Sequence, residues 1–139
     1  MGLAGAGESL VNLEEIREAA SRIQSVAVRT PLLPFPELSE ELGGEIRLKC
    51  ECLQRAGSFK IRGAFNFIAQ LSAGELERGI ITYSSGNHGQ AIALAGRIKG
   101  IRVVVVMPTT APKVKVEGAR DFGAEVVFEG TTSLHRKVR

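Results

Sequence analysis

The chain has 139 residues, of which 44% are hydrophobic and 24% charged, so it is long enough for one ordinary domain and can bury a core. Its net charge of +3 is small and aromatic residues make up only 5%, which argues against a nucleic-acid partner, because such proteins combine a basic surface with stacking rings. No apolar run approaches the ~20 residues that cross a bilayer, so no membrane partner is expected and a cytoplasmic location is favoured.

The first part of the chain predicts two helices after a flexible leader at residues 1–11. Asn12 followed by Glu15 predicts a helix cap with its return partner. The inward face of that helix would consist of Leu13, Ile16, Ala20 and Ile23. The prolines of "RTPLLPFP" then predict extended backbone, and a short helix from about Glu37 is expected to end at Gly43 and Gly44.

The segment "EIRLKCEC" alternates strictly between apolar and charged residues, which predicts a half-buried strand. Its inward face would hold Ile46, Leu48, Cys50 and Cys52. Two cysteines on one strand face act as small apolar groups, and only His88 and His135 offer ligand nitrogens, so no metal site is expected. Nothing in the sequence indicates a disulfide framework, which fits a reducing compartment.

The pattern of the chain changes after Ser58. A helix capped by this serine is predicted, with Ile61, Ala64, Phe65 and Ile68 facing inward. The segments "GIITYS", "IRVVVVMP" and "AEVVFE" then predict short apolar strands, separated by helices in "NHGQAIALAGRIKG" and "APKVKVEGARDFG". Apolar strands that alternate with helices are typical of parallel strands joined by right-handed crossovers and covered on both faces. The fold class is therefore predicted to be α/β, with a doubly wound parallel sheet.

This sheet is expected to be incomplete. Three parallel strands and one detached strand leave sheet edges unpaired and sheet faces uncovered, which is a poor solution for a free-standing domain. The last residues, "TTSLHRKVR", read as the beginning of another helix. We therefore expect the chain to be part of a larger enzyme.

Lys60, in the stretch "AGSFKIRGAF", stands in the first turn of its predicted helix. A positive charge there opposes the helix dipole, which favours anions at that end. Two interpretations follow: either the lysine is a solvated surface residue, or a nearby group changes its charge.

A second stretch, "TYSSGNHGQA" (Thr82 to Ala91), joins a strand end to a helix start, where free backbone N–H groups form a site for an anion. Gly86 and Gly89 would let a ligand approach the backbone closely. The spacing excludes a dinucleotide fingerprint, a phosphate-binding loop ending in Gly-Lys-Ser/Thr and a nucleophile elbow. The remaining alternative is a polar turn in which a serine caps the helix.

Together, "GSFKIRGA" and "SSGNHGQA" resemble the fold-type II pyridoxal-phosphate enzymes, in particular the branch of serine racemases and threonine/serine dehydratases. The resemblance extends from about Asn12 through "RTPLL" to "MPTTAPKVK". It implies a tryptophan-synthase-β-like fold with pyridoxal 5'-phosphate as the cofactor, and a homo-oligomer for the full-length parent. It also implies that residues 12–80 belong to the large cofactor domain and residues 81–139 to a smaller, truncated α/β domain.

The resemblance assigns a role to each residue that matches its motifs. Lys60 matches the lysine that forms the Schiff base with the cofactor and then acts as a base, and Phe59 would pack against the cofactor ring. Asn87 matches the residue that hydrogen-bonds the ring hydroxyl. Ser84, Ser85, Asn87 and His88 match the group that holds the substrate carboxylate, and Ser85 also matches the serine that faces the other side of the substrate α-carbon in racemases. Arg62 is interpreted as structural.

The implied activity is that of a threonine/serine dehydratase, a lyase of amino-acid metabolism that gives a 2-keto acid and ammonia. The alternatives are serine racemase activity, which shares the first step, and a truncated, non-catalytic α/β module that binds an anion. The glycine-rich loop that holds the cofactor phosphate in this family is not found in the sequence. We therefore expect this polypeptide alone to be weakly active or inactive.

Overall fold

The computed structural model describes residues 11–131. Within this range the helices are α1 (Leu13–Ile23), α2 (Pro36–Leu42), α3 (Lys60–Ile68), α4 (Ala73–Arg78), α5 (Asn87–Lys99) and α6 (Lys113–Asp121). The strands are β1 (Leu32–Pro34), β2 (Arg47–Lys49), β3 (Ile80–Tyr83), β4 (Val103–Met107) and β5 (Glu125–Phe128). The predicted leader, apart from residue 11, and the predicted last helix fall outside the described residues.

The strands form two sheets among the residues described. β1 and β2 pair as an antiparallel ribbon, whereas β3, β4 and β5 form a parallel sheet in chain order. The register sets Ile80 opposite Val103 and Val105 opposite Val126. The parallel α/β unit predicted from the sequence is therefore confirmed.

Among the described residues, helices cover one face of the sheet and leave the other face uncovered, as expected for an incomplete sheet. Because the three strands follow in chain order, right-handed crossovers place α5 and α6 on the same side, where the two helices contact each other. β4 is the buried central strand. On the edge strand β3, the side chain of Ile81 is 72% exposed. The rule of two covered faces therefore holds for a larger sheet than the part described here.

The core lies where α3 packs against α5 and α5 packs against β4. Among its most buried side chains are Ile61, Ile68, Ala91, Val105 and Met107. The predicted inward face of α3 is confirmed, since its four apolar residues are the ones that the structure buries. This packing crosses the boundary predicted at residues 80 and 81, and that boundary stays a prediction.

The predicted strand in "EIRLKCEC" is wrong in length and burial. Only Arg47–Lys49 is a strand, and Leu48 remains 47% exposed. The chain then turns into a short 3-10 helix at Glu51–Leu53, so Cys50 and Cys52 do not share a strand face, and Cys52 is exposed. The physical reason is that Glu51 has hydrogen-bond partners on other segments, which draw the chain out of the ribbon.

The helix ends show which local rules decided the structure. The capping box of Asn12 and Glu15 is present as predicted, and α2 ends at Gly43 with a φ of 66°. The predicted inward face of α1 is confirmed only at Ile23, which is partly buried against the core, whereas Leu13 and Ile16 are exposed in the described chain. α4 was missed, although Ser72 and Glu75 form a second capping box that the sequence pattern contains.

No helix within residues 11–131 is long and apolar enough to cross a bilayer. No group of three or more histidine, cysteine, aspartate or glutamate side chains in this range is arranged to hold a metal ion.

Candidate active site

The turn before α3 fixes where Lys60 stands. The side-chain amide of Gln54 accepts a hydrogen bond from the Val28 N–H (2.8 Å) and donates one to the Val28 carbonyl (2.6 Å), as a neighbouring strand would. Ala56 and Gly57 then take positive φ angles of 59° and 68° and reverse the chain. The sequence folds this way because Gln54 supplies the pairing that the short strands lack.

Ser58 does not cap α3, contrary to the prediction. The cap position is occupied by Phe59, which makes no side-chain capping bond. The Ser58 side chain is only 6% exposed, and its hydroxyl has no hydrogen-bond partner in the described structure. A buried hydroxyl without a partner is rare, so this oxygen marks a place where a further polar group would be stabilised.

Lys60 is the first residue of α3, and its side chain is exposed. Its Nζ lies 4.8 Å from the centroid of the Phe59 ring. Among residues 11–131, no carboxylate pairs with this ammonium. An accessible lysine amine that no ion pair engages is available to a ligand in the site.

Lys60 opens onto a cleft of about 510 Å³ between α3, β3 and the beginning of α5. Its walls are mainly apolar, and they include Phe59, Phe67, Ile81, Thr82, His88 and Ile92. A cleft of this kind, with apolar walls and a few polar groups, is typical of sites for small molecules. The structure thus brings Lys60, Phe59 and His88 together, as the motifs predicted for one site.

His88 carries an imidazole whose pKa is lowered. Burial is the main cause, and the positive charge of Lys60 contributes. Both effects disfavour the imidazolium, so His88 is neutral at neutral pH. A neutral His88 ring adds no further positive charge beside Lys60.

The turn before α5 is organised by Ser84 rather than by a capping serine. The Ser84 hydroxyl accepts a hydrogen bond from the Gly86 N–H at 3.2 Å. Gly86 is the cap residue of α5, and no side-chain hydrogen bond caps this helix. The alternative of a capping serine is therefore wrong, and the first amides of α5 remain available to an anion.

Gly89 is needed for the packing of α5, whereas the sequence predicted that it would let a ligand approach the backbone. A Cβ at this position would lie 2.9 Å from Val105 Cγ1 and 3.3 Å from Ser84 Cβ. The glycine therefore lets α5 pack closely on β4, whereas open space surrounds Gly86. Of these two glycines, Gly86 is the one that leaves the backbone open to a ligand.

Ser84 and Ser85 lie in the turn next to the cleft, and Asn87 begins α5; these three residues are not in the cleft wall. The Asn87 Oδ1 accepts a hydrogen bond of 2.6 Å from Lys115 Nζ on α6. Sequence reasoning missed Lys115, because the two residues are 28 positions apart and no local pattern links them.

Sequence reasoning also missed Glu51, which forms an ion pair with Arg62, two residues after Lys60. Arg62 Nε and Nη2 donate to the two Glu51 oxygens at 2.8 Å each, and Thr30 Oγ1 donates to Glu51 Oε1 at 2.6 Å. These bonds lower the pKa of Glu51 to about 2, the Arg62 guanidinium being the main cause. Arg62 thereby ties α3 to the chain that precedes it, and the only sequence signal was an acidic residue inside an otherwise alternating strand.

Comparison with known proteins places this site in a family. The chain is 50% identical over 121 residues to the L-threonine ammonia-lyase of Thermotoga maritima, which covers 87% of this chain and 30% of that enzyme. It is 44% identical over 116 residues to the serine racemase of Dictyostelium discoideum, covering 84% of this chain and 36% of the racemase. The chain thus spans about a third of the length of these curated relatives.

The solved structure of maize serine racemase matches with a TM-score of 0.86 at 38% identity, over 92% of this chain and 39% of the maize chain. This likeness confirms the predicted fold class and the resemblance stated from the motifs. The family described as pyridoxal-phosphate dependent enzyme matches residues 23–137. Since that match covers most of the sequence, the chain belongs to the family of pyridoxal-phosphate dependent enzymes.

Proposed function

We propose that this chain is the N-terminal part of a threonine/serine ammonia-lyase that gives a 2-keto acid and ammonia. The observation that carries the proposal is the Lys60 amine, which opens onto the cleft beside Phe59 and His88 without an acidic partner in the described chain. The 50% identity to the L-threonine ammonia-lyase of Thermotoga maritima supports this reaction class.

The residues of the cleft fit pyridoxal phosphate. Lys60 supplies the amine that would bond to the aldehyde as a Schiff base, and Phe59 supplies an apolar wall for the ring. The N-terminus of α5 has amides free for a carboxylate or phosphate, and the unpartnered Ser58 hydroxyl lies buried two residues before Lys60. When bound, this cofactor accepts the electrons left on the substrate α-carbon after the proton is removed.

Each residue of the chain has a proposed task. Lys60, once its amine is free, takes the α-proton of the substrate, because it is the amine that opens onto the cleft. The α5 amides with Ser84, Ser85, Asn87 and His88 hold the substrate carboxylate. Asn87 would donate its amide N–H to the ring oxygen of the cofactor. Neutral His88 contacts the carboxylate without adding a second charge beside Lys60.

Serine racemisation is the second candidate, and one observation favours it. Ser85 is not engaged as a helix cap, so its hydroxyl is free to exchange a proton on the face of the α-carbon opposite Lys60. The maize and Dictyostelium discoideum relatives carry the name serine racemase. Both reactions begin with the same proton transfer, so one full-length protein could catalyse both.

The setting of the reaction is part of the same proposal. We place the protein in the cytoplasm, on the basis of its two cysteines without a disulfide framework. The substrate is serine or threonine, and the full-length protein is a homo-oligomer, which the exposed apolar side chains of β3 and α1 support.

Product analysis on the full-length protein that contains this sequence tests the proposal. With pyridoxal phosphate and L-serine or L-threonine, we expect release of the matching 2-keto acid and ammonia, and its loss in Lys60→Ala. Ser85→Ala should keep the lyase product while any D-serine, measured by chirality-resolved chromatography, disappears. Release of keto acid by Lys60→Ala at the unsubstituted rate would contradict the proposal.

A further inference from the structure

Lys115 is a half-buried lysine whose ammonium is held by two neutral amides. Its Nζ donates to Asn87 Oδ1 at 2.6 Å and to Gln90 Oε1 at 3.2 Å. Asn87 and Gln90 lie one turn apart at the beginning of α5, whereas Lys115 comes from the first turn of α6. A cation beside two helix N-termini is disfavoured by both helix dipoles. Helix stability therefore does not explain why a lysine stands here.

We propose that Lys115 is a positioning residue that fixes the orientation of the Asn87 amide. The inference rests on the proposed function, in which Asn87 donates an N–H to the ring oxygen of the cofactor. An asparagine amide can turn over and exchange its oxygen for its nitrogen, which would present an acceptor where a donor is needed. Lysine has three donors and no acceptor, so it accepts only the orientation in which the oxygen faces the ammonium.

The bond to Lys115 also determines which group Asn87 presents to a ligand. With its oxygen bound to Lys115, Asn87 keeps its NH₂ group on the other side as a donor. A donor at the ring oxygen stabilises that oxygen in its ionised form, because hydrogen bonds to a charged form favour it. Lys115 thus acts on the cofactor through Asn87, without contacting it.

The packing of α6 against α5 keeps Lys115 in place. Val116 and Ala119 are the buried residues of α6 and follow Lys115 along the helix. A Cβ at Gly118 would lie 1.9 Å from Gln90 Nε2, so a larger residue there would displace the Gln90 amide that helps to hold Lys115. Gln90 is itself buried, and its oxygen provides the second acceptor for Lys115.

Lys113 offers a matched control on the same helix. Its side chain is 88% exposed and pairs with Glu117 at 3.5 Å, away from α5. Replacing Lys113 removes one positive charge from the same turn of α6, as replacing Lys115 does. Any difference between the two variants therefore reports on the contact with Asn87 and Gln90.

The experiment uses the full-length protein and titrates pyridoxal phosphate into Lys115→Met, Lys115→Arg, Lys113→Met, Asn87→Ala and the double variant Asn87→Ala/Lys115→Met. We expect Lys115→Met to weaken cofactor binding by about tenfold, because the Asn87 amide loses the charged hydrogen bond that orients it. The pH at which the bound cofactor changes its absorption bands should move upward. Lys113→Met should match the unsubstituted protein, and Lys115→Arg should restore part of the effect.

The double variant shows whether Lys115 acts through Asn87. If it does, the substitution of Lys115 has no further effect on affinity or on the band titration once Asn87 is alanine. Additive losses in the double variant, or a Lys115→Met protein that matches Lys113→Met, would overturn the inference.

A readout without cofactor separates this inference from the proposed function. In the cofactor-free protein, the side-chain NH₂ resonances of Asn87 should shift in Lys115→Met and stay unchanged in Lys113→Met. Unchanged Asn87 resonances contradict the positioning role whether or not Lys60 binds the cofactor. Shifted resonances in a protein that forms no adduct on Lys60 support the role of Lys115 and contradict only the proposed function.

Discussion

Lys60 and His88 form the most informative pair of side chains in the chain. Lys60 is a cation in the first turn of α3, where the helix dipole disfavours positive charge. His88 faces the same cleft, and the Lys60 charge is one cause of its lowered pKa. The charge state of the lysine is therefore reported by the histidine.

Lys60→Met should raise the pKa of His88, because it removes the nearby positive charge and leaves burial as the remaining cause. NMR titration of the imidazole signals measures this, with His88→Asn to assign the resonance and Lys99→Met as a control for a lysine elsewhere. Since the folded-state pKa of His88 is below its ordinary value, its contribution to stability is present at high pH and is lost as the pH falls below 6.5. A His88 pKa that is unchanged in Lys60→Met would contradict the contact.

Glu51 and Arg62 make a second prediction. The folded-state pKa of Glu51 is about 2 against an ordinary value of 4.5, so the carboxylate stabilises the fold above pH 4.5. This contribution should disappear as the pH falls from 4.5 to about 2. Glu51→Gln should cost roughly 1–2 kcal/mol of unfolding free energy at neutral pH, between the values for surface and buried pairs.

The control for this prediction is Glu14→Gln, which removes an exposed pair with Arg17 at 3.5 Å. It should change the unfolding free energy by less than ~0.5 kcal/mol. Urea unfolding at several pH values gives both numbers. Equal effects for the two variants, or a Glu51→Gln effect that persists at pH 2, would show that the ion pair does not stabilise α3.

Helix α5 and strand β4 approach each other closely at a glycine. A Cβ at Gly96 would lie 2.2 Å from Val103 Cγ2, so Gly96→Ala should destabilise the fold by roughly 1–3 kcal/mol through overpacking. Gly74→Ala on α4 is the matched control, because nothing lies within 4 Å of its Cβ. It should be neutral or stabilising by up to ~1 kcal/mol, since alanine favours helix. Urea midpoints that fall equally for both variants would contradict the close packing.

The sequence predicted those elements whose apolar pattern is satisfied within the described chain. The spacing of Ile61, Ala64, Phe65 and Ile68 predicted the buried face of α3 because α5 is present to cover it. The same reasoning failed for α1, whose Leu13 is 60% exposed, since an amphipathic pattern names a face and not its partner. It failed for β2 because alternation does not reveal that Glu51 pairs with Arg62 on another element.

The candidate site, like the fold, was predictable only in part. The motifs located Lys60, Phe59 and His88, and the fold brings them to one cleft. The bond between Lys115 and Asn87 was not predictable, because it depends on how closely α6 packs against α5. Contacts between distant segments are decided by packing, whereas caps and turns are decided locally.

The molecule as described exposes apolar surface on the edge strand β3 and on helix α1. Apolar patches of this kind mark surfaces that another chain or segment covers, and an uncovered strand edge invites pairing. We therefore predict that the 139-residue polypeptide self-associates in a concentration-dependent way.

Sedimentation velocity measures this association. Ile81→Lys should shift the polypeptide toward the monomer, because Ile81 is the most exposed side chain of β3. Val114→Lys, at an exposed position on α6, is the control and should have little effect. A polypeptide that remains monomeric at high concentration would contradict the prediction.

The central claim is that the amine of Lys60 binds the cofactor aldehyde covalently, and one labelling measurement tests it most directly. The full-length protein is incubated with pyridoxal phosphate and reduced with borohydride, and the modified peptide is identified by mass spectrometry. We predict one cofactor adduct on Lys60, with no adduct on this peptide in Lys60→Arg and an unchanged adduct in Lys113→Met. An unmodified Lys60 with the label on other lysines would contradict the account.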